Sequence, residues 1–206
     1  MGLIATMAAL ILGLVVASAK SAFDAQDSAV RSVAADILTL DRTLSAYGPE
    51  TASIREEVRR SVEARLETSW STGDAPPTRG KQVAPAERIE QQLLALTPQN
   101  DGQRWLQSQA LSSASDVLKT RWSAFASAGA TVPTAFLVVV VFWLAALFWS
   151  FGLFAPANAT VLSVLLLCAL SVSAAVFLIL EMESPFSGVM KISSAPLRSA
   201  LELLGQ

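Results

Sequence analysis

Four carboxylates are the residues on which chemistry could rest. Glu181 and Glu183 stand at the lip of the longest charge-free stretch, in "LILEMESPFSG" (residues 178–188), and Asp24 and Asp27 lie just beyond an apolar run near the amino terminus. Carboxylate and backbone oxygens suit a hard cation such as Ca²⁺, and rings of acidic side chains bias ion passage. In an oligomer each charge repeats around the axis, so a modest site becomes a strong field. Asp24, Asp27, Glu181 and Glu183 are therefore the candidates for a vestibule or ion-interaction site. Two plainer readings compete with it. A membrane helix that has reached water tolerates charge again, or the acids pair with nearby bases such as Lys20 or Lys191.

Little else in the chain offers chemistry. It has no histidine, and its one cysteine, Cys168, lies inside an apolar run. That removes the usual general base near neutral pH and leaves no common zinc site. No phosphate loop, nucleophile elbow, paired CxxC or HExxH occurs. No catalytic, cofactor-binding or metal-ligating residue is expected, and the reading is not an enzyme. Asn158-Ala159-Thr160 matches a glycosylation acceptor only by chance, beside a very short turn. The net charge of −2 gives no basic excess, which argues against nucleic acid as a partner.

The four acids have to be positioned by membrane elements. No Asp, Glu, Lys or Arg occurs in residues 1–19 or from Trp122 through Leu180, although charged residues make up 16 % of the chain. Such segregation describes a protein with two solvents, the bilayer and water. Residues 130–151 and 157–180 each suffice to span, at ~33 and ~36 Å as helices. Gly152–Pro156 leaves room only for a tight turn, so the two form an antiparallel hairpin. Trp122, Trp143 and Trp149 are candidate interface anchors. The small hydroxyl residues in the spans (Thr134, Ser150, Ser163, Ser171, Ser173) suit helix contact better than transport. Residues 2–19 form a first transmembrane helix. The competing readings are a signal peptide ending at Ala17-Ser18-Ala19 and myristoylation at Gly2.

Lys119 and Arg121 precede the second span, Lys191 and Arg198 follow the third, and Lys20 follows the first. All three assignments put residues 20–129 and the 181–206 tail in the cytoplasm. The 20–129 region shows helical periodicity and no convincing alternation, so no sheet is expected. Phe23, Val30, Val33, Ile37, Leu40, Leu44 and Tyr47 form a seam that Gly48-Pro49 stops. Ile54, Val58, Val62, Leu66 and Trp70 mark a second helix, beginning near Pro49. Ser71–Gly80 reads as a linker. A third helix is expected from about Pro85 to Leu96, and a fourth from after Pro98 or Asp101. The fold class is all-α: about three transmembrane helices, with a cytoplasmic helical bundle between the first and second.

"GLIATMAALILGLVVASAKSAFD", "LDRTLSAYGPE", "LTPQNDGQRWLQSQAL" and "PFSGVMKISSAPLRSAL" resemble the corresponding stretches of the bestrophin-like family, membrane proteins of bacteria and plants grouped by a domain of unknown function. The resemblance implies a helical membrane protein with its bulk in the cytoplasm, distantly related to pentameric bestrophin anion channels; an oligomeric protein of the bacterial inner membrane is the expected form. It carries over no residue-level role, neither neck, selectivity filter nor calcium clasp. Members usually have a further membrane helix upstream, so the bare apolar start suggests a truncated or late-start chain. The expected function is passive conduction of ions, chloride or a cation, through an apolar pore shared by several copies in the bilayer. The alternative is a non-conducting membrane-anchored scaffold or signalling partner that offers the seam from Phe23 to Tyr47 as a docking surface. No cofactor is expected.

Overall fold

A computed structural model of the chain describes residues 2–70, 79–128, 134–154, 156, 158–186 and 188–205. Every regular element among them is helical. In chain order they are α1 (Gly2–Tyr47), a 3₁₀ turn (Pro49–Thr51), α2 (Ala52–Trp70), α3 (Arg79–Leu94), α4 (Asp101–Ala128), α5 (Thr134–Phe154), α6 (Ala159–Met182) and α7 (Ala195–Leu203). The chain divides into two compact units. One, called here the apolar unit, comprises residues 1–24 and 127–185; the other, the polar unit, comprises 25–126 and 186–206.

In the apolar unit, three helices are long and apolar enough to cross a membrane: α1, whose apolar stretch is its amino-terminal part, α5 and α6. Contact between α1 and α6 is made through one apolar cluster, in which Ala19 is the small residue. Val15 and Ala19 are buried with Ile179 and Met182, and Leu12, Val16, Phe23 and Leu137 pack around them. Small residues let helix backbones approach closely, which favours association where no hydrophobic effect operates. α5 continues through Gly152 to Phe154, beyond the expected end of the second span. α6 begins two residues later than expected, with Asn158 as its N-cap. The 155–158 connection is correspondingly short.

In the polar unit the seam residues Val30, Val33, Ile37, Leu40, Leu44 and Tyr47 are all buried. Phe23 leaves that series and joins the core of the apolar unit. Ile54, Val58 and Val62 of α2 are buried as their spacing predicts, while Leu66 is only partly covered. α2 packs on α3 and on α7, and α7 closes the unit with Leu197 and Ala200.

α1 stops where glycine and proline predict it. Gly48 adopts φ 137°, a left-handed conformation open to glycine and strained for other residues. The buried Thr51 hydroxyl lies between the carbonyls of Leu44 (2.6 Å) and Gly48 (2.8 Å) and shares its hydrogen between them. Gln103 of α4 donates from Nε2 to the Tyr47 carbonyl at 3.1 Å. The carbonyls that a helix end leaves without partners are thus satisfied by two other elements. Gln107 does the same at the end of α3, donating to Leu93 (2.8 Å) and Leu96 (3.1 Å). α4 itself is capped by Asn100, whose side chain accepts from the Gln103 N–H at 2.8 Å. Gln103 Oε1 in turn accepts from the Gln99 N–H at 2.8 Å. This is a reciprocal arrangement of the capping-box kind.

Two expectations need correction. α3 begins at Arg79 and carries Pro85 in its interior, so Arg79 and Gly80 of the expected linker are helical. A proline removes one backbone hydrogen bond but does not forbid the turn before it. α3 also ends at Leu94, two residues early. Residues 71–78 of the linker, and 130–133 of the second expected span, lie outside the described residues.

Gly48→Ala should destabilise the protein by about 1–3 kcal/mol, the usual cost of a strained backbone conformation. Thermal unfolding of the full chain in nonionic detergent, followed by circular dichroism, measures it; an unchanged midpoint would mean that the corner adapts.

Candidate functional site

Two of the four candidate carboxylates, Glu181 and Glu183, fall at the end of α6, and the other two, Asp24 and Asp27, lie midway along α1 just past its apolar stretch. In the apolar unit, Val15 and Ala19 of α1 pack on Ile179 and Met182 of α6. Asp24 lies beyond that layer on α1, Glu181 in the last turn of α6, and Glu183 at its C-cap. Asp27 follows three residues along α1 and belongs to the polar unit.

Two of the four are engaged in ion pairs along their own helix. Lys20 donates to Asp24 at 2.6 Å and Arg31 to Asp27 at 2.9 Å, each pair spanning one turn. The competing ion-pair reading therefore describes Asp24, with Lys20 as its partner. Asp27 finds a base that the sequence reading did not consider. Glu181 and Glu183 stand at the carboxyl end of α6, where the helix dipole is negative and acidic side chains are disfavoured by about 0.3–1 kcal/mol. Among the described residues, no group of three or more acidic or cysteine side chains could hold a metal ion.

Two of the hydroxyls inside the apolar helices are bonded to their own backbone. Ser163 donates to the Ala159 carbonyl and Ser171 to that of Leu167, both at 2.9 Å and one turn back. Such back-bonding spends the hydroxyl hydrogen within the helix. Most side chains of α5 and α6 remain uncovered, including Phe142, Trp149, Leu162, Leu167 and Phe177. Cys168 is exposed on the same surface. The exposed positions run around the helices without a polar stripe, as for helices that face hydrocarbon or another copy.

The polar unit holds the chain's one substantially buried ion pair among the described residues. Arg55 of α2 grips Asp41 of α1 in a fork, Nε to Oδ1 at 2.7 Å and a terminal nitrogen to Oδ2 at 2.9 Å. The Asp41 side chain is 6 % exposed and that of Arg55 23 %. The hydrogen bond to Asp41 raises the Arg55 guanidinium pKa, with burial opposing and the carboxylate charge assisting. The backbone N–H of Gly205 approaches the same carboxylate at 3.5 Å. Trp70, at the end of α2, donates from Nε1 to the Ile192 carbonyl at 2.9 Å. Its ring meets Phe186 edge-on, with centroids 5.3 Å apart. In the sequence, Asp41 stands only in a block that carries the family resemblance, and Trp70 only in the apolar series of the second helix. Their partners lie 14 and 122 residues away.

Three helices long and apolar enough to cross a membrane, beside a polar helical unit, are the pattern of a helical membrane protein. The chain belongs to the bestrophin-like family: the bestrophin-like domain matches residues 1–197. It is thus a bestrophin-related membrane protein. Neither a curated protein nor a solved structure matches it at a significant level. The blocks that carried the resemblance contain the joints of the polar unit: Asp41, Tyr47-Gly48-Pro49, Gln103, Gln107, Phe186 and Ile192.

Truncating Asp41 to alanine leaves the Arg55 charge without its partner. Removing one partner of a buried pair costs about 3–5 kcal/mol, and the partial exposure of Arg55 brings the expectation to about 2–3 kcal/mol. The double variant Asp41→Leu/Arg55→Met should recover much of that loss in the same thermal assay, since it leaves no buried charge.

Asp36 gives a pH signature. Burial, assisted by the negative charge of Asp116, raises its carboxyl pKa above the ordinary value of 3.8. The folded protein then holds that proton more tightly than the unfolded chain, so the contribution is fully favourable below 3.8 and is lost as pH rises through the folded value. Asp36→Asn should therefore unfold at a higher temperature than wild type at pH 7, with the gap closing as pH falls below about 4. A gap independent of pH would remove the carboxyl from the explanation.

Proposed function

We propose that the chain is one protomer of an oligomeric membrane channel or channel-like protein, conducting ions passively through an apolar pore built from several copies. The observation that carries this reading is the uncovered apolar surface of α5 and α6, of which only 6 % of each spanning window is buried within the chain. Three such helices are too few to enclose a pore, so conduction requires further copies around an axis. Membership of the bestrophin-like family supports the same reading.

In this reading the polar unit lies on the cytoplasmic side of a bacterial inner membrane, following the positive charges beside each span. Asp24, Asp27, Glu181 and Glu183 line the vestibule. The unfavourable position of Glu183 at a helix carboxyl end would be relieved by a cation, which gives it a reason to attract one. With the Ser163 and Ser171 hydroxyls bonded to their own backbone, the pore wall in this reading is mostly apolar and gates by dewetting. No enzymatic activity is proposed.

The non-conducting scaffold is the second reading. Its proposed docking seam is spent on packing, because Val30, Val33, Ile37, Leu40, Leu44 and Tyr47 are buried within the chain itself.

The test is flux through purified protein in liposomes, with chloride and potassium gradients applied separately, for wild type and for Glu181→Gln/Glu183→Gln. The expected result is flux in wild type and a changed chloride-to-potassium ratio in the double variant. Equal ratios would reduce the glutamates to a membrane boundary while keeping the channel. No flux from protein that is folded and oligomeric by crosslinking would overturn conduction.

A further inference from the structure

The polar unit contains a groove of about 360 Å³ lined by Leu38, Asp41, Arg42, Ser45 and Ala46 of α1 and by Leu203 of α7. That volume falls within the range of about 300–1,000 Å³ usual for small-molecule sites. Its polar groups differ in their commitments. Asp41 has both oxygens on Arg55 and a third approach from the Gly205 N–H, so its charge is already compensated. Arg42, by contrast, has no hydrogen-bond or ion-pair partner among the described residues, although most acids and bases around it on α1 and α2 are paired. Ser45 likewise makes no side-chain hydrogen bond among the described residues. The two stand three residues apart on one helix, the spacing that puts side chains on the same face.

We propose that this groove binds a singly charged organic oxyanion, a carboxylate bearing a short hydrocarbon group. The guanidinium of Arg42 supplies planar paired donors suited to a carboxylate, and the Ser45 hydroxyl supplies a further donor. Leu38, Ala46 and Leu203 supply apolar wall for the hydrocarbon. Single charge is favoured over double for two reasons. One arginine compensates one charge, and the groove lies near the carboxyl end of α1, whose dipole repels additional negative charge. The ligand's carboxylate could come from a free acid, and an equivalent singly charged oxyanion from a phosphodiester lipid headgroup. The shared chemistry is the monoanion next to hydrocarbon. This site is independent of the channel reading.

Octanoate is the probe. Binding to the full chain in nonionic detergent is measured by isothermal titration for wild type, Arg42→Gln and Ser45→Ala, with octanol and acetate as controls. Wild type should bind octanoate saturably. Arg42→Gln should weaken it at least tenfold, the loss expected for a charge-assisted hydrogen bond, and Ser45→Ala should weaken it a few-fold. Octanol and acetate, each lacking one half of the chemistry, should bind far more weakly. Arg42 is exposed and unpartnered, so its substitution should leave the unfolding midpoint unchanged, which separates lost binding from lost folding. Displacement of octanoate by short-chain phosphatidylglycerol would identify the lipid source; octanoate binding without displacement would identify the free acid. Octanoate binding equally well to wild type and a folded Arg42→Gln variant would overturn the proposal, as would no saturable binding to wild type.

Discussion

A helix of 46 residues has to end, and the unsatisfied carbonyls at its end must find donors. That requirement organises the polar unit. The Tyr47 carbonyl takes a donor from Gln103, and the Leu44 carbonyl takes one from Thr51. Gln103 is also the N3 residue of the cap that starts α4. One amide side chain therefore holds the end of one helix against the start of another. The buried pair of Asp41 and Arg55 fixes α2 against α1 one turn and a half before that corner. Both devices are directional, whereas the valine, leucine and alanine contacts around them are not. The apolar seam supplies most of the driving force; the polar joints select the arrangement.

The apolar unit follows a different logic because its solvent is different. Between helices in hydrocarbon no apolar surface is removed from water, so contact depends on close approach and van der Waals packing. Val15, Ala19, Ile179 and Met182 supply the packed contact between α1 and α6. The remaining surface of α5 and α6 is apolar around the whole circumference, a pattern that would be unstable in water and is ordinary in lipid.

Periodicity made much of this architecture legible. The spacing of Val30, Val33, Ile37, Leu40, Leu44 and Tyr47 gave both the helix and its buried face, since burial on one side is what produces that spacing. Gly48-Pro49 marked the stop because only certain backbones can leave a helix there. Pro85 suits the first turn of a helix and so marks a start in the sequence, yet α3 already runs from Arg79, ahead of the buried Ile89 and Leu93. Phe23 fitted the seam by spacing and yet serves the other core, a choice that depends on which neighbours are near. The fork of Arg55 on Asp41 and the reach of Gln103 and Gln107 to distant carbonyls leave no periodic trace, since such contacts join elements whose separation in sequence is arbitrary. Of the candidate acids, position near the ends of the apolar runs was legible; the pairing of Asp24 with Lys20 was one of three open readings, and that of Asp27 with Arg31 went unread.

The placement of Trp70 has a consequence for biosynthesis. Its indole closes on a carbonyl 122 residues later, and Asp41 meets the Gly205 amide 164 residues later. Between these partners the ribosome must make α5 and α6, and the membrane must receive them. Residues 25–126 therefore leave the ribosome with an uncovered face, and α7, which closes it, arrives last. At the usual pace of translation that interval is on the order of ten seconds. The polar unit thus completes its core only after α5 and α6 have been made, when α7 arrives to cover the face left open.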